Sequence, residues 1–303
     1  SQRLYYVFDD WVINMRLIGG NISDTPVKEI GDGSAFSVGG GETGGQAAFL
    51  TSLGATDNQE IAWLPGFLSS YTAGSRMILN SVASPASGVA ANVHTLHYGL
   101  DIHTATQFPT FTGTPGDESA SEYLLFDGGD ALTTADSTFM QSVNQNNAEF
   151  SVIFAFYLAA VGSVNASMFN SNTASYRSGI GITMNTDEKL VFQALNAGGV
   201  AAQAVHATAM TAGWHTCGLS IGEANNTGHI MLDGDSTSFA SDYSSGLTSG
   251  ARGILNIGCY GDDVTNNPIP NACRMGDIIM WNAEIGSTAL NAASAVLETK
   301  YGI

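Results

Sequence analysis

The sequence predicts an all-β protein, an antiparallel sandwich of two sheets that ends in one helix. Residues 149–160 (EFSVIFAFYLAA) alternate large apolar residues with a period of two, which is the spacing of a strand with one buried face. Further apolar runs follow at regular intervals, with Gly, Asn and Asp turns between them, as is typical of a sandwich. The last apolar residues instead recur at helical spacing.

Residues 149–160 are the strand around which the others are expected to pack. One face carries only large apolar side chains: Phe150, Val152, Phe154, Phe156 and Leu158. The other face, with Ile153, Ala155 and Tyr157, is also largely apolar. We therefore expect a central strand with something packed on each side.

Further strands are predicted on both sides of this central one. They lie at residues 122–126, 166–171, 176–185, 189–196, 199–207, 214–222, 227–240 (with a return), 253–261 and 272–282. In the strand at 214–222, Trp214, Thr216, Gly218 and Ser220 share one face. No helical period separates these segments, so the sheets should be antiparallel.

One helix is predicted to close the chain. Its buried face is expected to carry Leu290, Ala293, Leu297 and Tyr301. Ser287 is the predicted N-cap, and Gly302 stands where helices commonly stop.

Residues 1–104 are predicted to form an irregular, β-rich assembly or attachment region, and residues 105–303 the sandwich. The glycine-rich stretch at 31–46 has no following Lys, so it is interpreted as a loop rather than a phosphate-binding site. A short helix ending near Leu64 is expected within EIAWLPGFL. His94, His97 and His103 lack a nearby Cys or catalytic Glu and are expected to be ordinary surface or turn histidines rather than metal ligands.

The composition excludes several classes of partner. Only 12% of the residues are charged, and the net charge is −18. Such a field repels phosphate backbones and anionic membranes, so neither is an expected partner. No apolar run is long enough for a transmembrane helix. The three cysteines, Cys217, Cys259 and Cys273, are expected to be buried thiols.

Several short motifs, taken in order, resemble the LamG-like, concanavalin A-like lectin/glucanase domain. They are FDGGD at 126–130, the pair WH at 214–215, LDG at 232–234, IG at 257–258 and the final LETKYGI. The last is similar to copies of the domain in bacteriophage virion proteins. The resemblance covers about residues 105–303 and implies a two-sheet jelly roll. It implies no single function, because this fold serves glycan binding, protein binding, β-glucan cleavage and virion assembly.

Calcium binding is one property that the resemblance implies, although no cofactor is expected to be required. Asp127 and Asp130 are the candidate metal ligands, and calcium prefers such oxygen ligands. Two further pairs remain open: Asp233 with Asp235, and Asp262 with Asp263. Asp–Gly pairs are also ordinary turn residues, which is the favoured interpretation.

A glycan site, if present, is expected on a loop with an exposed aromatic side chain. The segment CYGDDVTNNPIP offers Tyr260, Asp262, Asp263 and Asn266. An ordinary loop is the alternative. Trp214 and Trp281 lie within strands and are predicted to be core residues.

The chain is predicted not to be an enzyme. A retaining glycosidase needs two carboxylates about 5–5.5 Å apart, and hydrolases of the resembled family carry them as E-x-D-x-x-E, which this sequence lacks. The first hypothesis is a structural protein of a virus particle, a bacteriophage capsid decoration, fibre or tail component. Its partners would be other virion subunits, further copies of itself and a host surface glycan. The alternative is a secreted or cell-surface carbohydrate-binding module.

Overall fold

The structure is a computed structural model. It describes residues 3–8, 11–16, 43–65, 77–78, 80–88, 94–97, 107–114, 119–134, 137–145, 147–162, 164–171, 179–196, 199–241, 254–260 and 265–303. The chain divides into two compact units, Ser1–Val38 and Gly39–Ile303. The first contains an antiparallel hairpin of Arg3–Phe8 (β1) and Trp11–Arg16 (β2).

The second unit contains sixteen strands and three α-helices among its described residues. The strands are Gln59–Trp63 (β3), Met77–Ile78 (β4), Leu96–His97 (β5), Thr110–Thr112 (β6), Tyr123–Leu125 (β7), Leu132–Thr134 (β8), Glu149–Leu158 (β9), Ala166–Asn170 (β10), Gly179–Met184 (β11), Lys189–Asn196 (β12), Gly199–Ala209 (β13), Gly213–Gly222 (β14), Thr227–Leu232 (β15), Asp235–Phe239 (β16), Asn256–Ile257 (β17) and Arg274–Trp281 (β18). The helices are Thr43–Ser52 (α1), Thr138–Val143 (α2) and Gly286–Tyr301 (α3).

These strands form two antiparallel sheets, which confirms the predicted sandwich. We call the sheet on which α3 packs the helix-side sheet. Its strand order is β16-β15-β14-β9-β18-β7-β6, and β3 pairs with residues 278–281 of β18. The opposite sheet has the order β13-β12-β11-β10-β17-β8-β5-β4. The predicted central strand, β9, lies in the middle of the helix-side sheet and pairs with β14 and β18.

Apolar side chains pack on both faces of β9, as its alternation predicts. Its phenylalanines face the opposite sheet and belong to the core between the two sheets. Ile153 and Ala155 face the other way and belong to a second core under α3, with Leu290, Leu297 and Trp281. The helix-side sheet is therefore a middle layer, covered by a sheet on one face and by α3 on the other.

Helix α3 buries the face predicted from its sequence, but it begins without the predicted cap. Its N-cap is Ile285, not Ser287, and no side chain of its own first turn caps it. The amide of Ile285 donates to Ser151 Oγ (3.1 Å), and that of Gly286 donates to Ser220 Oγ (3.1 Å). Serines of the sheet thus bind two of the first amides, which have no acceptor within the helix. The helix ends at Gly302, in the left-handed conformation (φ 70°).

Two local predictions for the N-terminal part were wrong. Residues 59–63 form strand β3 rather than the end of a helix, because all five are buried and they pair with β18. Residues 43–46 of the glycine-rich stretch, predicted to be loop, belong to α1, and residues 31–42 lie outside the described residues. Since β3, β4 and β5 belong to the two sheets, the sandwich extends N-terminal to the boundary predicted at residue 105. An attachment role for residues 1–104 stays a prediction.

The remaining general expectations can be compared directly. Cys217, Cys259 and Cys273 are all buried and no disulfide joins them. Among the described residues, no helix is long and apolar enough to cross a membrane.

Candidate ligand-binding surface

The loop between β7 and β8 holds the two predicted metal ligands. Asp130 Oδ2 accepts the amide of Asp127 at 2.7 Å, and Asp127 Oδ1 accepts the amide of Gly129 at 2.9 Å. Asp130 is buried, and its Oδ1 has no hydrogen-bond partner. Burial raises the pKa of Asp130 to about 6. Two of the four carboxylate oxygens thus accept amides of the turn itself, which needs no metal.

A calcium ion needs six to eight oxygen ligands, and the described residues offer no group of three acidic or His side chains that could hold a metal. This donor set is therefore short of what calcium requires unless backbone carbonyls complete it. Calcium binding at Asp127 and Asp130 stays a prediction. The alternative ligand Asp233 pairs with His215 Nδ1 at 2.7 Å, and Asp262 and Asp263 lie outside the described residues.

The predicted glycan loop lies between β17 and β18. The amide of Tyr260 donates to the carbonyl of Asn266 at 2.9 Å, so these two residues face each other across the loop. Tyr260 is half-buried and Asn266 is exposed. Next to this loop is a cleft of about 440 Å³, lined by Gly128, Val164, Asn165, Thr186, Thr265, Asn267, Pro268 and Pro270. The cleft brings the aspartate loop and the predicted glycan loop together, but its lining contains no aromatic side chain.

A second surface lies on the outer face of the helix-side sheet. Four residues of neighbouring strands meet there: Trp214 of β14, Tyr157 of β9, Arg274 of β18 and Tyr123 of β7. Trp214 is the registered partner of Tyr157, and Tyr157 of Arg274. We call these four residues the aromatic cluster. Each is half-buried.

The aromatic cluster is held together by its rings and by one cation. The ring centroids of Trp214 and Tyr157 are 5.5 Å apart, and those of Trp214 and Tyr123 are 6.1 Å apart, both edge-to-face. The Arg274 guanidinium carbon lies 4.3 Å from the Tyr157 centroid and 4.6 Å from the Tyr123 centroid. Such contacts favour fixed ring positions.

The end of α3 forms one wall of the aromatic cluster. The Tyr301 ring lies 4.5 Å from the Trp214 ring. The Tyr301 hydroxyl accepts the amide of Asp277 at 2.9 Å, and Lys300 Nζ donates to Asp277 Oδ2 at 2.6 Å. Helix α3 therefore covers the sheet up to Tyr301 and leaves the aromatic cluster beyond it partly exposed.

Buried carboxylates elsewhere in the sandwich have structural partners. Among the described residues they are Glu60, Glu122, Asp130, Glu223 and Asp277. Glu60, for example, lies 2.6 Å from His94 Nε2, and both side chains are fully buried. Burial opposes its charged form, but hydrogen bonds from His94 and Ser87 lower the pKa of Glu60 overall. The prediction of a surface or turn histidine is therefore wrong for His94, which is fully buried and paired with Glu60.

The motifs that carried the sequence resemblance also contact each other. His215 Nε2 bonds to the carbonyl of Thr211 at 2.8 Å, while its Nδ1 faces Asp233. Burial disfavours the charged imidazole, but hydrogen bonding to Asp233 and Thr211 outweighs this and raises the pKa of His215. This pair fixes the start of β14 against the β15–β16 turn, next to Trp214.

No protein-family model matches the chain, and no curated protein matches it. The resemblance to the LamG-like family and the link to bacteriophage therefore stay predictions.

Solved structures do share the fold. The receptor binding domain of botulinum neurotoxin D aligns with 79% of this chain and 53% of its own, with a TM-score of 0.55 and 8% identity. A structure describing the entry of botulinum neurotoxin type C through two ganglioside molecules aligns with 80% of this chain and 52% of its own (TM-score 0.51, 11% identity). The binding domain of botulinum neurotoxin DC with rat synaptotagmin II aligns equally far (TM-score 0.50, 11% identity). The chain thus spans about half the length of these structures, and such low identities establish the sandwich alone.

Proposed function

We propose that this chain is a non-enzymatic carbohydrate-binding module that uses the aromatic cluster. The observation that carries the proposal is the group of half-buried rings and one guanidinium on the sheet face beyond α3. Sugars have apolar ring faces and polar edges, so they pack on rigid aromatic side chains beside a few hydrogen-bonding groups. The cleft beside the predicted glycan loop is less suitable because its lining lacks an aromatic ring.

The solved structures of the same fold support this proposal only by analogy. One of them is described by its interaction with ganglioside molecules, and another as a receptor binding domain. A shared fold does not transfer a function. The proposed carbohydrate binding therefore rests on the aromatic cluster of this chain.

The absence of enzymatic activity is part of the proposal. A glycosidase of two carboxylates needs both at the substrate, about 5–9.5 Å apart. The buried carboxylates of the described residues instead accept hydrogen bonds from neighbouring side chains and amides: Glu122 from Ser119 and Asp277 from Lys300, for example. Incubation of the protein with oligosaccharides that it binds should therefore release no product.

A glycan array followed by calorimetry with the best ligand tests the proposal. Trp214→Ala should weaken binding at least about tenfold, since an aromatic anchor at a binding surface typically contributes more than the 1.4 kcal/mol that this change represents. Tyr260→Ala, in the predicted glycan loop between β17 and β18, is the matched control and should bind like the wild type. If Trp214→Ala binds the glycan unchanged and Tyr260→Ala loses binding, the site lies at the predicted glycan loop instead. If no glycan binds, the proposal is wrong.

A structural role in a virus particle is the second candidate. The low fraction of charged residues, 12%, favours surfaces that pack against other subunits without desolvating charge. The two candidates are compatible, because a particle can display a glycan-binding sandwich. Electron microscopy of the purified chain should then show closed symmetric oligomers or lattices. A monomer at all concentrations would contradict the role in a particle and leave glycan binding untouched.

A further inference from the structure

We propose that the aromatic cluster selects sugars that carry a carboxylate, such as a sialic or uronic acid, and that Arg274 binds this carboxylate. This inference rests on the proposed function, because it concerns the ligand class of the same surface. It depends on the surroundings of Arg274, which, unlike Lys300, has no carboxylate partner among the described residues.

Arg274 has a fixed position but no anionic partner within the described residues. Its guanidinium lies between the rings of Tyr157 and Tyr123, at 4.3 and 4.6 Å from their centroids. Its Nε is buried and has no hydrogen-bond partner. The ion pairs of the described residues involve His94, His206, His215 and Lys300, not Arg274.

The two buried acidic side chains of this part of the sheet, Glu122 and Asp277, form their hydrogen bonds with groups other than Arg274. Glu122 Oε2 accepts both the amide and the hydroxyl of Ser119, at 2.6 and 2.8 Å. Asp277 Oδ2 accepts from Lys300 Nζ at 2.6 Å, and the amide of Asp277 is bound by the Tyr301 hydroxyl. Among the described residues, Lys300 thus has its counter-ion, whereas Arg274 is paired with none of the acidic side chains.

A guanidinium suits a carboxylate because its planar fork can donate two parallel hydrogen bonds. Ring contacts on both sides of Arg274 restrict its rotamers before a ligand arrives, which lowers the entropic cost of binding. The rings of Trp214 and Tyr157 lie beside it for the sugar itself. One compact surface therefore offers both parts of an acidic sugar a matching partner.

The charge of the whole chain makes Arg274 decisive for such a ligand. With a net charge of −18, the protein repels anions at long range. At physiological salt this repulsion is screened beyond about 8 Å, whereas a direct guanidinium–carboxylate contact is short. Without Arg274, we expect an acidic sugar to bind no better than its neutral counterpart.

The test compares matched acidic and neutral sugars by calorimetry: 3′-sialyllactose against lactose and against the methyl ester of 3′-sialyllactose, and digalacturonic acid against its dimethyl ester. The wild type should bind at least one acid about tenfold or more tightly than its neutral counterpart, as a charge-assisted hydrogen bond allows. Arg274→Gln should bind the acid and its neutral counterpart with equal affinity, whatever its affinity for the neutral sugar. Arg274→Lys, which keeps the charge but not the fork, should retain only part of the preference.

The outcomes separate the two proposals. Equal affinity for acid and ester, or a preference that survives in Arg274→Gln, would overturn the inference and leave carbohydrate binding intact. Absence of binding by all these sugars and by every glycan on the array would overturn both. If Arg274→Gln fails to fold in a thermal melt, the comparison of acid and ester on the wild type still tests the preference for a carboxylate, and Arg274→Lys tests the guanidinium.

Discussion

Replacing Lys300 by Met should destabilise the protein strongly, because Asp277 would lose the cation that compensates its burial. Asp277 is fully buried, and the Lys300 side chain that reaches it is 9% exposed. Asp277 Oδ1 already lacks a hydrogen-bond partner. Removing one member of a buried ion pair typically costs about 3–5 kcal/mol. With an unfolding entropy of about 2.1 cal/mol/K per residue, that corresponds to a fall of roughly 5–8 °C in Tm for this chain.

The cost of Lys300→Met should depend on pH with a definite sign. Burial raises the pKa of Asp277 above its ordinary value of 3.8, although Lys300 opposes this, and nearby Glu122 adds to it. A carboxyl whose pKa is higher in the folded than in the unfolded state favours folding below the unfolded pKa and loses that contribution as pH rises through the folded pKa. Without Lys300 the folded pKa should rise further, so the variant should lose less stability near pH 4 than at pH 7.

Urea unfolding of wild type and Lys300→Met at both pH values measures this difference. We expect a loss of about 3–5 kcal/mol at pH 7 and about 1–3 kcal/mol near pH 4, where a neutral carboxyl remains unsatisfied. The double variant Asp277→Asn/Lys300→Met should recover part of the loss at pH 7, because no buried charge remains. An equal loss at both pH values, or no recovery in the double variant, would refute this account of the pair.

Two further changes probe the aromatic cluster and the aspartate loop. Gly276→Ala would place a Cβ about 2.3 Å from the Tyr301 hydroxyl, so it should lower the free energy of unfolding in urea by about 1–3 kcal/mol and shift the tryptophan fluorescence. Gly162→Ala, whose added Cβ would have no atom within 4 Å, is the matched control. Equal effects of the two substitutions would contradict the steric explanation. Because the pKa of Asp130 is raised to about 6, wild-type stability should fall between pH 4 and 7 relative to Asp130→Asn. Millimolar calcium should raise the Tm of the wild type but not of Asp130→Asn if this loop binds the ion, and identical responses would exclude Asp130 as a ligand.

The strands of the C-terminal two-thirds were predictable because their signal is local. Alternation in β9 and β14 identifies which side chains share a face, and Trp214, Thr216 and Ser220 do lie on the face toward α3. Strand β3 was missed for the opposite reason. EIAWL is a short apolar run compatible with helix or strand, and its pairing with Ile278–Trp281 of β18, more than two hundred residues later, decides between them.

The aromatic cluster was not predicted, although all four of its residues are visible in the sequence. Trp214 was interpreted as a core residue because it begins a strand, whereas the structure leaves it half-buried; Trp281, in the same class, is fully buried as predicted. The two rings have different neighbours: Trp281 Nε1 donates to the carbonyl of Gly54 at 3.2 Å, whereas Trp214 packs against Tyr301 at the end of α3. The strand order β14-β9-β18-β7 then assembles residues 214, 157, 274 and 123, an order that periodicity alone does not encode.

The N-terminus of α3 depends on serine hydroxyls of the sheet rather than on its own residues. The amides of Ile285 and Gly286 are bound by hydroxyls 134 and 66 residues earlier in the chain, so a peptide of the last nineteen residues lacks the groups that bind these amides. Such a peptide should be largely unstructured by circular dichroism. Transplanting the segment onto another sandwich should succeed only where two serines occupy the equivalent sheet positions.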